Sequence, residues 1–389
     1  MMGMMGTTTK KFLSLGLAVT TMLGFTACTI KTPATVGKIG EIEIPAGVYL
    51  AEQYNAYTDA SGKATLATGE TAGDVKAVLK ADVTGKIGDK DVTENGKQYV
   101  ADLTLHNLEY YAAVESRFAE LGGTLEDAAT AEAASTVDSD WTNKSATYEA
   151  NGISKASLLN IQLNAQKAKQ ITGLLYGKDG TQPITDAEYR DYIQNDCLYL
   201  DTVVLPLFDS TTYVFADDTQ KAAIQALAQQ CAEAMNKAAT PEAALSDVYN
   251  AMYEAATAYV PQAYQALGVT TFDATQAYYY VGSQLYTAKQ LSGYDDGSGN
   301  NTLKDAAATM ESGTWGTVDL GTSIVVFRTV DPFQNSTLDD LVSQNDLVTA
   351  MKGDEVESML YEEGAAMEHA LNVGAMNTYK AANIRYSVS

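Results

Sequence analysis

Between residues 181 and 208 the spacing of apolar side chains changes from helical to extended within one stretch. Tyr189, Tyr192 and Ile193 recur at helical intervals, and Thr185 with Glu188 three positions on has capping-box spacing. From Leu198 the pattern becomes a near-continuous, β-branched apolar run over 200–208, as a buried strand requires. Upstream the pattern is mostly helical. One helix is predicted over 97–121, with Val100, Leu103, Tyr111, Val114, Phe118 and Leu121 on a single face and Gly122-Gly123 as its stop. A second is predicted over 153–176, with Ile161, Ala165, Ala168, Ile171 and Leu175 as its stripe. Before them, Ile42 and Ile44 alternate with acidic residues and predict a half-exposed strand, and Pro45 leads into a helix. Residues 59–96 read as an irregular insertion or weak hairpin, and the Ala/Thr/Ser-rich 124–150 as a short helix and a loop.

Downstream of the joint the pattern mixes helix and strand. Helices are predicted over 217–237 and 241–259, followed by an aromatic cluster at Tyr278, Tyr279, Tyr280 and Tyr286, and a short helix over 303–310. A turn and a buried strand are predicted within 313–328. Residues 337–372 return to helical spacing, and 384–388 close the chain as an alternating strand. The strands at 38–44 and 383–388 each have one apolar face and no local partner. Pairing them satisfies both ladders. The expected fold class is therefore α+β: a discontinuous, mainly helical module built from both chain ends, with an antiparallel sheet-plus-helices segment inserted. The expected boundaries are a leader at 1–28, a linker at 29–35, the first helical part at 36–198, the insertion at 199–332 and the closing part at 333–389.

An apolar content of 46% over 389 residues is enough for a sizeable core. The net charge of −24, without a Lys/Arg-rich run, argues against nucleic-acid binding. Lys10 and Lys11 precede an apolar run from Phe12 to Phe25 that is too short to span a bilayer, and Leu23-Gly-Phe-Thr-Ala-Cys28 follows. Small residues before that cysteine resemble a bacterial lipobox, with Phe25 departing from the usual aliphatic residue. Lipidation of Cys28 is expected, holding the chain at the outer face of the cytoplasmic membrane. Cys197 and Cys231 read as small buried hydrophobes, with a disulfide between them left open. His106 and His369 read as partly exposed helix-face residues without a nucleophile motif, and the carboxylates carry no glycosidase pattern. No metal-type spacing and no cofactor motif is present.

The order of these parts carries a resemblance. A lipobox precedes Lys38-Ile-Gly-Glu-Ile-Glu-Ile-Pro-Ala-Gly-Val-Tyr49 and then helices; Ile184-Thr-Asp-Ala-Glu-Tyr-Arg-Asp-Tyr192 comes before a strand; Met310-Glu-Ser-Gly-Thr-Trp-Gly-Thr-Val318 comes before another, and a helix follows. The chain resembles the PrsA/SurA-type extracytoplasmic foldases. That resemblance implies a SurA-like helical chaperone module carrying a parvulin-like prolyl isomerase domain. It also implies unfolded or partly folded secreted polypeptides as partners. Val203-Val204-Leu205 and Gly321-Thr322-Ser323-Ile324 stand where that family usually carries His-Ile-Leu and Gly-Tyr-His-Ile, so both family histidines are absent.

Isomerisation needs a desolvated proline site and polar groups around the twisted amide, against a barrier of ~18–20 kcal/mol. Asp201, Thr202 and Ser323 are the candidates for those groups; the alternative is two ordinary strand residues and an outward charge. A client-binding groove on the helical module would draw on Tyr110, Tyr111, Phe118 and Met367, for which core packing is the alternative. The rival functions are a solute-binding lipoprotein, which would need repeated strand–helix units, and a surface scaffold. Cys28→Ser is expected to abolish fatty-acid labelling and to move the chain from the membrane fraction to the soluble one. Continued labelling of the substituted chain would overturn the lipobox reading.

Overall fold

The computed structural model describes residues 34–209, 212–240, 243–269, 272–295, 301–334 and 336–387. The expected leader, Cys28 and most of the linker lie outside the described residues. Strands β1 (Thr35–Ile39) and β2 (Ile42–Pro45) form a hairpin and lead into helix α1 (Ala46–Lys63). A short turn α2 (Val75–Val78) precedes the hairpin β3 (Asp82–Ile87) and β4 (Lys90–Asn95). The long helices α3 (Gly96–Glu120), α4 (Asp127–Ala150) and α5 (Lys155–Tyr176) follow, then α6 (Asp186–Asn195).

Strand β5 (Leu198–Pro206) and the short hairpin β6 (Phe208–Asp209) and β7 (Val214–Phe215) lead to α7 (Asp218–Ala238) and α8 (Leu245–Ala266). A 3-10 turn, Ala274–Tyr280, enters β8 (Val281–Tyr286), followed by α9 (Ala288–Ser292) and α10 (Thr302–Ala308). Strands β9 (Gly316–Asp319) and β10 (Ser323–Thr329) complete this part. The chain ends with α11 (Leu338–Gln344), α12 (Leu347–Ala366), β11 (His369–Leu371) and α13 (Val373–Thr378). The fold is a mixed α+β arrangement, mostly helical, with small antiparallel sheets.

Local chemistry accounts for the helix starts. Thr185 accepts from the Glu188 amide while the Glu188 carboxylate accepts from Thr185, the capping box expected from the sequence. Asp217 with Gln220 and Thr337 with Asp340 repeat the device at α7 and α11. Helices α1, α3, α5 and α12 then pack on one another. Val114, Phe118, Ile171, Leu175, Val356 and Leu360 form one buried cluster between α3, α5 and α12. Val36, Ile39, Ile44, Val48 and Leu108 form another under the first hairpin.

The four-stranded sheet has the order β8-β5-β10-β9, all antiparallel. Its two faces follow strand alternation. Val203, Leu205, Ile324 and Val326 pack on α7 and α8, and Leu200, Val204, Val325 and Phe327 pack toward α9 and α10. Tyr189, Ile193, Cys197, Leu285, Leu338, Leu341 and Leu347 join α6, α11 and the start of α12 to the sheet edge. The joint read from 181–208 is thus a helix running into a buried strand, as expected.

The structure corrects three expectations. Residues 127–150 form one 24-residue helix instead of a short helix and loop. Alanine favours helix without marking a face, and only Ala133, Val137 and Tyr148 are buried, so no stripe announces the helix. The strand expected over 38–44 is a hairpin, turning at Gly40 with φ +56°. Its partner is β11, with Gly37 opposite Leu371 and Ile39 opposite His369, and the expected strand over 383–388 is not formed in the described residues. The helix expected to run to 372 ends at Ala366, which frees 369–371 to pair. Residues 384–386 lie along α1 instead. The Tyr54 hydroxyl donates to the Tyr386 carbonyl at 3.0 Å, and the Asn151 amide donates to the Arg385 carbonyl at 2.8 Å. Ile384 and Tyr386 alternate because both rest on the Tyr57 cluster, and the burial that a strand would have provided comes from a helix.

Helix α12 meets α3 at Gly364. A β-carbon built there would come well inside van der Waals contact distance of the Glu109 carbonyl oxygen. Gly364→Ala is therefore expected to cost about 1–3 kcal/mol through forced separation of the helices. Gly62 in α1 has open space around its missing side chain, so Gly62→Ala should be neutral or gain about 0.5–1 kcal/mol. Urea denaturation midpoints of the two variants test the pair, and equal effects would contradict the packing argument.

Candidate functional site

The polar residues singled out on the sheet do not converge. Asp201 is 1% exposed and points to the α7–α8 side, where Arg328 Nε donates to its Oδ2 at 2.8 Å and Ser283 Oγ donates to its Oδ1 at 2.6 Å. The Arg328 guanidinium lies 5.4 Å from the Trp315 ring centre, and its Nη1 donates to the Thr240 carbonyl. Asp201 is thus a buried partner and not an outward charge, tied into a network that becomes costly when one member is removed. Thr202 points to the other face and donates to the Gly282 carbonyl at 3.3 Å. Ser323 shares that face but lies opposite Pro206, whereas Thr202 lies opposite Phe327. Four strand positions separate them, roughly 13 Å at strand rise. The Ser323 end of β5 and β10 adjoins the β6–β7 hairpin, where Tyr213 and Phe215 are exposed.

The helical body holds a different constellation. His106 and Tyr110 lie four residues apart on α3, on one face, and Tyr361 of α12 sits between them. The His106 and Tyr361 rings stack with centres 4.2 Å apart and planes 3° apart, and Tyr110 leans on Tyr361 at 4.5 Å. This aromatic ladder separates two open clefts. One, of 650 Å³, lies between α3, α5 and α12 and is lined by Tyr110, Ala168, Thr172, Val348 and Val356, with Lys289 at its mouth donating to Asp354 at 2.7 Å. The other, of 890 Å³, lies between the β3–β4 hairpin, α3 and α12, and His106 and Tyr361 form part of its wall. Asp354 and Glu357 line both.

Burial sets the electrostatics of the ladder. It lowers the His106 pKa below the ordinary imidazole value, with Asp89 opposing in part, so the ring is neutral at pH 7. It pushes the Tyr110 phenol up to about 12, helped by Glu357. Beneath the ladder, Glu52 is 8% exposed; its Oε2 accepts from Asn107 Nδ2 at 3.0 Å and from Asn55 Nδ2 at 3.4 Å. Burial raises its pKa against those two hydrogen bonds. Glu109 is raised by burial and drawn back by His369, whose Nε2 lies 3.3 Å from its Oε1. His369 lies on β11 and not on a helix face, as the sequence had suggested.

Of the four residues proposed for client contact, Tyr110 lines an open cleft. Phe118 is core. Tyr111 packs toward the first hairpin, and Met367 lies against Gly40. Sequence reasoning missed Tyr361 and the part played by His106. The spacing of His106 and Tyr110 was a usable signal, but the ring that joins them comes from 251 residues further on (361 − 110). The Cys197 and Cys231 thiols are free and buried, and burial pushes them up to about 11 and 12. A reactive thiolate is disfavoured at both.

No protein-family description matches the chain, and no curated protein sequence matches it. Seven solved chains do. The foldase protein PrsA of Streptococcus pneumoniae is 13% identical, with a TM-score of 0.35 over 78% of this chain and 100% of its own. The peptidylprolyl isomerase PrsA of Bacillus anthracis is 10% identical, with a TM-score of 0.24 over 73% of this chain and 99% of its own. At these scores neither neighbour carries an argument about activity.

The raised pKa of Glu52 has a defined consequence for stability. Below the unfolded carboxylate pKa of about 4.3, folded and unfolded states both hold the proton and the site costs nothing extra. As pH rises toward and through the higher folded value, stability is lost, because the folded state must ionise a buried group. Glu52→Gln keeps an acceptor for Asn107 and removes the charge. It is expected to raise the urea midpoint at pH 7.5 and to leave it nearly unchanged at pH 4. Equal effects at both pH values would show that burial is not the cause.

Proposed function

We propose that this chain is a membrane-anchored extracytoplasmic chaperone of foldase type, which holds unfolded or partly folded secreted polypeptides in the clefts of its helical body. The observation that carries the reading is the His106–Tyr361–Tyr110 ladder standing between two open clefts. A stacked aromatic surface gives apolar contact without demanding a sequence, and open clefts admit an extended chain. In this reading residues 36–198 and 333–389 are the body, 199–332 the inserted parvulin-like unit, and Cys28 the anchor. Pairing of β1 with β11 and packing of α12 on α3 support the discontinuous body. The order of parts along the sequence supports the foldase class.

For the sheet unit we propose a positioning role with little or no isomerase activity. Asp201 is occupied by Arg328 and Ser283, and Thr202 and Ser323 are too far apart to act on one amide. The polar groups that would shape a twisted proline bond are therefore not assembled by these three residues.

Two assays on the full chain test the reading. It is expected to suppress aggregation of a denatured client at stoichiometric amounts and to leave a proline-limited refolding phase unaccelerated. The double variant Tyr110→Ala/Tyr361→Ala, checked by circular dichroism for retained helix, is expected to lose most of the suppression. Undiminished suppression by that folded variant would overturn the cleft assignment. Clear acceleration of the proline-limited phase would overturn the account of the sheet.

A further inference from the structure

The 890 Å³ trough is lined by more carboxylates than cations. Asp89, Glu94, Asp102, Glu357 and Glu362 line it, and among the described residues none of the five forms an ion pair. Four other carboxylates on the body are matched by cations, Glu363 and Glu120 by Arg117, Glu115 by Lys167 and Glu355 by Lys352. Lys90 also lines the trough and, among the described residues, is in no ion pair. His106 is neutral at pH 7 and does not compensate. Glu94 Oε2 is buried with no hydrogen-bond donor beside it. Like charges gathered in one concavity raise its potential and attract the opposite sign. The same wall carries the His106 and Tyr361 rings.

That pairing of surfaces suits one class of side chain. Lysine and arginine have an apolar stem and a cationic head, so the stem can lie on aromatic carbon while the head reaches a carboxylate. The trough is within the range of about 300–1,000 Å³ typical of ligand sites, larger than one side chain requires. We propose that the trough between the β3–β4 hairpin, α3 and α12 docks lysine- or arginine-bearing segments of unfolded polypeptides, with the heads on Asp102, Glu357 and Glu362 and the stems along His106 and Tyr361. The inference rests on the chaperone reading and deepens it by naming the segments preferred.

Fluorescence anisotropy on the full chain tests it, with labelled peptides of one length and one apolar frame carrying lysine, serine or glutamate at alternate positions. The lysine peptide is expected to bind about tenfold more tightly than the serine peptide, a margin worth ~1.4 kcal/mol. The glutamate peptide should bind more weakly than either. Glu357→Gln/Glu362→Gln is expected to erase the lysine preference. Glu233→Gln/Glu254→Gln, at exposed positions on α7 and α8, removes the same charge elsewhere and should preserve it. Equal binding of lysine and serine peptides overturns the inference, as does equal loss in the two double variants, which would assign the effect to net charge. Aggregation suppression with a client poor in lysine and arginine is read in parallel. If the unsubstituted chain suppresses aggregation but shows no lysine preference, only this inference falls; if it does neither, the chaperone reading falls as well.

Discussion

Helix α12 can lie against α3 because residue 364 has no side chain. The two backbones approach at Gly364 and Glu109, and that approach brings the late part of the chain onto the early helices. Around it, Arg117 reaches Glu363, His369 reaches Glu109, and β11 adds to β1 as the third strand of the small sheet. Tyr361 is carried into place between His106 and Tyr110 by the same contact. The clefts on either side of the ladder flank α12 along its contact with α3. Close packing is unforgiving at Gly364, since interiors have no slack to absorb an added methyl group.

The sheet and the helical body use polar groups in opposite ways. In the sheet, Asp201 and Arg328 satisfy each other in a dry setting, with Ser283, Trp315 and the Thr240 carbonyl closing the network. A buried charge that loses such a partner is costly. On the body, Asp89, Glu94, Asp102, Glu357 and Glu362 line the trough together with Lys90, and among the described residues none of the six forms an ion pair.

Much of the secondary structure was legible because it depends on near neighbours. The Thr185–Glu188 capping box, the stripes of α3 and α5 and the apolar run of β5 are all properties of a few consecutive residues. Helix α4 was not legible, because alanine supports a helix without marking its buried side. The terminal segment was misread for a related reason. Alternation records that one side of an extended chain is buried, and it does not say whether a strand or a helix covers it. Ile384 and Tyr386 are covered by the α1 cluster.

The amino-acid sequence by itself determined the run of helices and strands, the joint near 181–208, the acidic surface and the residue types available for chemistry. Hydrogen bonding and side-chain periodicity are local, so they can be read from consecutive residues. Only the tertiary structure decided that His369–Leu371 pairs with β1, that Asp201 is locked by Arg328, and that Tyr361 completes the ladder begun by His106 and Tyr110. Each of these joins residues more than a hundred positions apart. Many such pairings are compatible with one local pattern, and packing of the whole chain selects among them.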